Sequence, residues 1–193
     1  MKRFVILVFL LITTGLWAQS EDQHLMEGKK APLIKAKDQN GKLVDSKEFL
    51  KDEKLIVVFY RGQWCPYCNR HLAALEENVD KFTAAGARLI AITPEKPKMV
   101  SKTIEKTHAS YSILWDRNNK IMKSFGVDFV LPPNLQKKYK KFGVDLSIEN
   151  GNDSQVLPVP ATYVIGKDGT IKYVHYNTDY KKRSTAKEIL EHL

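Results

Sequence analysis

Leu55-Ile56-Val57-Val58-Phe59-Tyr60, followed by Arg61-Gly62-Gln63-Trp64-Cys65-Pro66-Tyr67-Cys68, decides how this chain is read. The first six residues are apolar throughout, as in a strand buried on both faces. From Pro66, apolar residues recur at Leu72, Leu75, Val79 and Phe82, the spacing of an amphipathic helix, with Gly86 as its end. Proline suits the first helical turn. Cys65 and Cys68 are the only two cysteines in the chain. A strand, a tight turn and a helix opening on a Cys-x-x-Cys pair make a redox site. The helix N-terminus carries partial positive charge and free N–H donors, which favour a thiolate there. Cys65 is the expected nucleophile, and Cys68 the resolving thiol one turn inside.

Other uses of the pair fit less well. A zinc site needs four ligands, and beyond His71 and distant His108 the chain offers no second pair at matching spacing. Covalent haem attachment needs His directly after the second cysteine, where Asn69 stands. A structural disulfide across two residues gives little loop-closure stabilisation. We expect no metal and no cofactor. Trp64 and Tyr67 flank the cysteines, either as an apolar collar for a partner or as ordinary packing.

Lys2 and Arg3, then the apolar run Phe4 to Ile12, then Leu16-Trp17-Ala18 before polar Gln19, have the order of a secretory signal peptide. We expect residues 1–18 to be that leader, and residues 19–193 to form a single domain that is exported, periplasmic or secreted. The apolar run is short for a membrane span, so none is expected after cleavage. Outside the cytoplasm structural disulfides are usual. A single pair there argues that the cysteines serve chemistry and that an ordinary core holds the fold. A hydrophobic share of 43% over 193 residues allows such a core. The formal net charge is +9, with lysines gathered in Lys137-Lys138-Tyr139-Lys140-Lys141 and basic residues again in Lys181-Lys182-Arg183. No nucleic-acid motif accompanies them, and we read them as solvated surface.

The remaining pattern gives the architecture. Leu33–Lys37 and Lys42–Val44 around Gln39-Asn40-Gly41 read as a hairpin, and Ser46 as the cap of a short helix. Arg88–Thr93 reads as a strand, Pro97 to His108 as a helix, Ser112–Trp115 as an extended piece and Asn119–Phe125 as a short helix. Residues 127–157 break the alternation and read as an insertion with one helix near Leu135–Phe142. Ala161–Ile165 and Thr170–His175 form a hairpin around Lys167-Asp168-Gly169, and a last helix starts at Ser184. The class is α/β: a thioredoxin-like fold, with a central mixed sheet flanked by helices, an N-terminal hairpin and an insertion before the final β-hairpin. In that fold a cis proline faces the cysteine pair, and Pro160 is placed for it.

Phe59 to Asn69 and Leu157-Pro158-Val159-Pro160-Ala161-Thr162-Tyr163-Val164-Ile165 resemble the peroxiredoxin-like proteins of the alkyl hydroperoxide reductase and thiol-specific antioxidant group. Ala31-Pro32, Asp38-Gln39-Asn40-Gly41-Lys42 and Tyr176-Asn177-Thr178-Asp179-Tyr180 also match that pattern. The resemblance implies that Cys65 attacks a hydroperoxide and becomes a sulfenic acid, that Cys68 resolves it to a disulfide, and that a thioredoxin-like protein reductant restores both thiols. The chain departs from the pattern where those enzymes place a hydroxyl residue three before the cysteine (here Gly62), a proline seven before it (here Val58) and an arginine before the late strand (here Pro160). Arg61 and Arg70, each close in sequence to the pair, are the candidates to substitute, set against surface solvation or helix-end stabilisation. These departures leave a second reading, protein disulfide exchange by the same couple, and a third, a binding module with an incidental disulfide.

Overall fold

The computed structural model describes residues 24–193; the expected leader, residues 1–18, lies outside them. The chain runs β1 (Lys35–Lys37), β2 (Leu43–Asp45), α1 (Ser46–Phe49), β3 (Lys54–Phe59), α2 (Pro66–Glu76), α3 (Val79–Ala84) and β4 (Ala87–Thr93). It continues α4 (Pro97–Thr107), β5 (Ser112–Trp115), α5 (Lys120–Ser124), β6 (Asp128–Val130), α6 (Pro133–Lys141) and α7 (Leu146–Asn150). It closes with β7 (Val156–Pro158), β8 (Ala161–Ile165), β9 (Ile171–Tyr176) and α8 (Ala186–Glu191).

The central sheet has the order β5-β4-β3-β8-β9. β3, β4 and β5 are parallel, because each is joined to the next through a helix. β8 runs antiparallel to β3, with Val57 opposite Tyr163, and the β8–β9 hairpin completes the sheet. Period-two alternation sends β3 side chains to both faces. Ile56, Val58 and Tyr60 pack with Leu72, Leu75, Phe82, Val100 and Ile189 on the helical side. Leu55, Val57 and Phe59 pack with Ile34, Met122, Phe125 and Tyr163 on the other. Burial on both faces is why β3 reads as an unbroken apolar run.

Four local expectations change. The single helix from Pro66 to Gly86 is two helices, broken at Glu77–Asn78, where the Asn78 side chain donates to the Ala74 carbonyl at 2.9 Å and competes with the helical ladder. The insertion holds more structure than one helix. β6 and β7 pair antiparallel, Phe129 opposite Leu157, and α7 lies between α6 and β7. The last helix begins after Thr185, which forms a capping box with Glu188. Pro160 is not cis, since there is no cis peptide bond among the described residues. The Val159 N–H instead donates to the Val127 carbonyl at 2.7 Å, extending the β6–β7 pairing up to β8. No helix among the described residues is long and apolar enough to cross a membrane.

Candidate active site

β3 and the helix after it place the cysteines. The Tyr60 N–H bonds the Ile92 carbonyl at 3.1 Å, so the chain is held to β4 until it turns. The turn closes with the Cys65 N–H on the Gly62 carbonyl at 3.0 Å. Cys65 is the N-cap of α2, in an extended conformation, and Pro66 takes the first helical position. Both cysteines are thiols and both are buried. Cys65 sits against a cavity of about 200 Å³ shared with Trp64, Pro66, Tyr67 and Tyr139.

Arg61 is the arginine that the fold brings to Cys65. Its Nη2 donates to Cys65 Sγ at 3.2 Å and its Nη1 to the Tyr139 hydroxyl at 3.0 Å. The guanidinium also lies 4.0 Å over the Tyr180 ring and 5.2 Å over Trp64. Arg70, the other candidate, lies 4.6 Å over Tyr67, and no hydrogen bond joins it to either sulfur. A hydrogen bond from the Cys68 thiol and the Arg61 charge hold the Cys65 thiol down at about 5 despite its burial. Burial, and then the Cys65 sulfur beside it, push the Cys68 thiol well up. Cys65 is therefore the thiolate at neutral pH and Cys68 the proton-bearing donor. Arg183 adds a second guanidinium, with Nη2 3.5 Å from Cys68 Sγ. His71 lies on the buried face of the same helix, and that burial holds it down at about 4, so it stays neutral.

Gly62 is required by space. A Cβ there would lie 2.6 Å from Glu95 Oε1 and 2.5 Å from Trp64 Nε1. The fully buried Glu95 carboxyl accepts the Gln63 N–H at 2.8 Å, and burial pushes it up to about 8. Every polar atom of Gln63 is engaged. Its carbonyl accepts from Lys106 at 3.0 Å and from Asn69 at 2.8 Å. Its side-chain oxygen accepts from Lys106 at 2.6 Å, and its amide donates to Glu149 at 3.1 Å.

Pro160 is not among the residues lining the Cys65 cavity. It lines an apolar groove of about 700 Å³ with Arg61, Leu135, Phe142, Val159 and Tyr180. Arg61, Tyr139, Phe142 and Tyr180 border both spaces, so the groove adjoins the Cys65 cavity. The sequence reading missed Tyr139, Glu95, Glu149 and Arg183. Tyr139 was hidden within a lysine run, and only its being the one aromatic there could have marked it. The others are polar residues in loops or short helices, with no local signal.

The AhpC/TSA family model matches residues 27–174. Peroxiredoxin Q from chloroplasts of Gentiana triflora is 30% identical over 167 residues, covering 86% of this chain and 66% of that protein. The Suaeda salsa counterpart is 29% identical, over 86% of this chain and 67% of its own length. The match thus spans about two thirds of these relatives. Among solved structures, the peroxidoxin BcpB of Mycobacterium tuberculosis superposes with a TM-score of 0.64 at 19% identity, over 79% of this chain and 86% of that one. A cysteine-to-serine mutant of peroxiredoxin 6 from Arenicola marina gives 0.67 at 16% identity, over 86% and 70%. These structures share the fold: a thioredoxin-like α/β sheet. With a strand, a tight turn and a helix that opens on a thiolate, and with most of its length matched, the chain belongs to the AhpC/TSA family.

Proposed function

We propose that this protein is a thiol-dependent peroxidase in which Cys65 reduces hydroperoxides and Cys68 resolves the product. The observation that carries this reading is the Arg61 contact on Cys65, 3.2 Å from a sulfur whose pKa is held at about 5. The Cys65 thiolate attacks one oxygen of the hydroperoxide and the O–O bond breaks. Sulfur becomes a sulfenic acid, and the leaving alkoxide or hydroxide takes a proton from solvent to leave as alcohol or water. Arg61 suits this step, since a fixed guanidinium favours the negative charge developing on the oxygens. The Cys68 sulfur then attacks the sulfenic sulfur, its proton leaves with the hydroxyl as water, and a disulfide forms. An external thioredoxin-type dithiol reduces that disulfide by two exchanges and becomes oxidised itself. The leader pattern at residues 1–18 supports a protein that works outside the cytoplasm.

The test is to mix the reduced protein with hydrogen peroxide or an organic hydroperoxide and follow Cys65 by mass spectrometry, with Cys68→Ser alongside. Rapid formation of a Cys65–Cys68 disulfide, and a sulfenic acid trapped in the variant, is the expected result. Oxidation of Cys65 no faster than free cysteine thiolate would sink the reading.

A further inference from the structure

Glu95 lies in the loop between β4 and α4 and is not a residue that the resemblance assigns. Its carboxyl fills the space over Gly62 that a side chain at that position would need. The Gly62–Gln63 peptide is consequently held from below by the carboxyl, through the Gln63 N–H at 2.8 Å. That peptide lies between Arg61 and Cys65, the two groups that meet at 3.2 Å. The second carboxyl oxygen, Oε2, is buried and closes no hydrogen bond of good geometry, the Thr103 hydroxyl beside the carboxyl giving it only weak support. Such an atom is tolerable on a neutral carboxyl and costly on an ionised one.

From these contacts we propose that Glu95, in its neutral form, is the positioning residue of the site, and that loss of its proton unseats the Arg61–Cys65 pair. The proposal rests on Cys65 being the peroxide-reacting thiol. Three titratable groups face Glu95: Glu149 from α7, Lys106 from α4 and Tyr60 at the end of β3. Lys106 is already spent on the two oxygens of Gln63. Glu149 holds the other end of the same side chain, so a second buried negative charge meets repulsion across Gln63. Burial brings the titration of Glu95 up to about 8, just above neutrality. Movement of the Gly62–Gln63 peptide, letting water reach the carboxylate, is the relief open to the loop.

The experiment compares two electrophiles on the purified protein. Peroxide oxidation of Cys65 needs the positioned guanidinium, whereas iodoacetamide alkylation needs only the thiolate. In Glu95→Ala the peroxide rate falls about tenfold to a hundredfold at neutral pH, while alkylation changes less than about threefold. Glu95→Gln, which keeps size and acceptor, restores most of the lost peroxide rate. In wild type the ratio of the two rates declines as pH rises through about 8, and in Glu95→Gln it stays flat. Should Glu95→Ala fail to fold, Glu149→Gln serves: removing the facing negative charge makes Glu95 easier to ionise and moves the decline to lower pH, and a decline that stays in place overturns the role. An unchanged ratio in Glu95→Ala, or a decline in Glu95→Gln that matches wild type, overturns the positioning role while the peroxidase reading stands. A wild-type protein that reacts with peroxide no faster than free cysteine overturns both.

Discussion

Arg61 has two effects on one sulfur: it lowers the thiol pKa and it fixes a cation where a peroxide would break. Substitution by methionine keeps the stem and removes the charge. We expect the Cys65 pKa to rise from about 5 by about 1–3 units, read as thiolate absorbance against pH. An unchanged titration would assign the low pKa to Cys68 and the helix end alone. Cys65 and Glu95 also give stability opposite pH dependences. Cys65 is lowered by folding, so its contribution is full above the unfolded thiol value near 8.5 and is lost as pH falls through about 5. Glu95 is raised, so its contribution is full below the unfolded carboxyl value near 4.3 and is lost as pH rises through about 8. Between those limits the two slopes oppose. Glu95→Gln should therefore steepen the rise of stability with pH in denaturant titrations, by up to about 1.4 kcal/mol per pH unit. An unaltered slope would mean that Glu95 is ionised in the fold. Gly62→Ala drives a methyl group against Glu95 and Trp64, and should cost about 1–3 kcal/mol in the same titrations. A loss below about 0.5 kcal/mol would show that the loop yields freely.

At the scale of elements, the insertion completes the site. Tyr139 on α6 hydrogen-bonds Arg61 and packs edge-on to Trp64 at 5.3 Å between ring centres. Glu149 on α7 anchors Gln63. Tyr139→Phe removes the hydroxyl and keeps the ring. It should weaken the hold on Arg61 by about 1 kcal/mol and slow peroxide oxidation without moving the alkylation rate. Equal loss in both assays would point to damage of the loop as a whole. These contacts mark what the sequence could and could not reveal. β3, β4, α4 and the cysteine pair are legible because each is a long run of one period, or a motif at fixed spacing. β6 and β7 are three residues each, too short for a period to register, and β7 ends on Pro158. Asn78 stops α2 through a side-chain bond that apolar spacing does not register. The burial of Glu95 depends on side chains from α4 and α7, and no local window contains them. The cis isomer that the fold implies for Pro160 is absent for a similar reason. Its neighbour Val159 is bonded to Val127, and the backbone of that segment follows the strand pair.

Across the whole molecule, positive charge and the cysteine site lie side by side, and Lys138 lines the same groove as Arg61 and Tyr139. α6 presents Lys137, Lys138, Lys140 and Lys141 with no buried residue of its own, while its Tyr139 ring turns inward to Arg61. Leu131, Leu146 and Leu157 form a small cluster of their own, separate from the two layers that cover the central sheet. The β6–β7 pair and the Val159–Val127 bond bring both ends of residues 131–155 to one place. The segment is thus a flap whose ends meet at one line and which is held down by Tyr139 on Arg61, Glu149 on Gln63 and the Lys96 N–H on the Glu149 carbonyl; lifting it breaks those bonds but none of the central ladders. Uncovering the thiolate and melting the domain become separate events with separate free energies. In native-state hydrogen exchange, amides of α6, α7 and β6 should open by a low-energy route while those of β3 and β4 wait for global unfolding; a single shared opening energy would refute it. A reductant too bulky for a cavity of about 200 Å³ would then be admitted by the flap's own breathing, at no cost to the sheet that holds the cysteines in place.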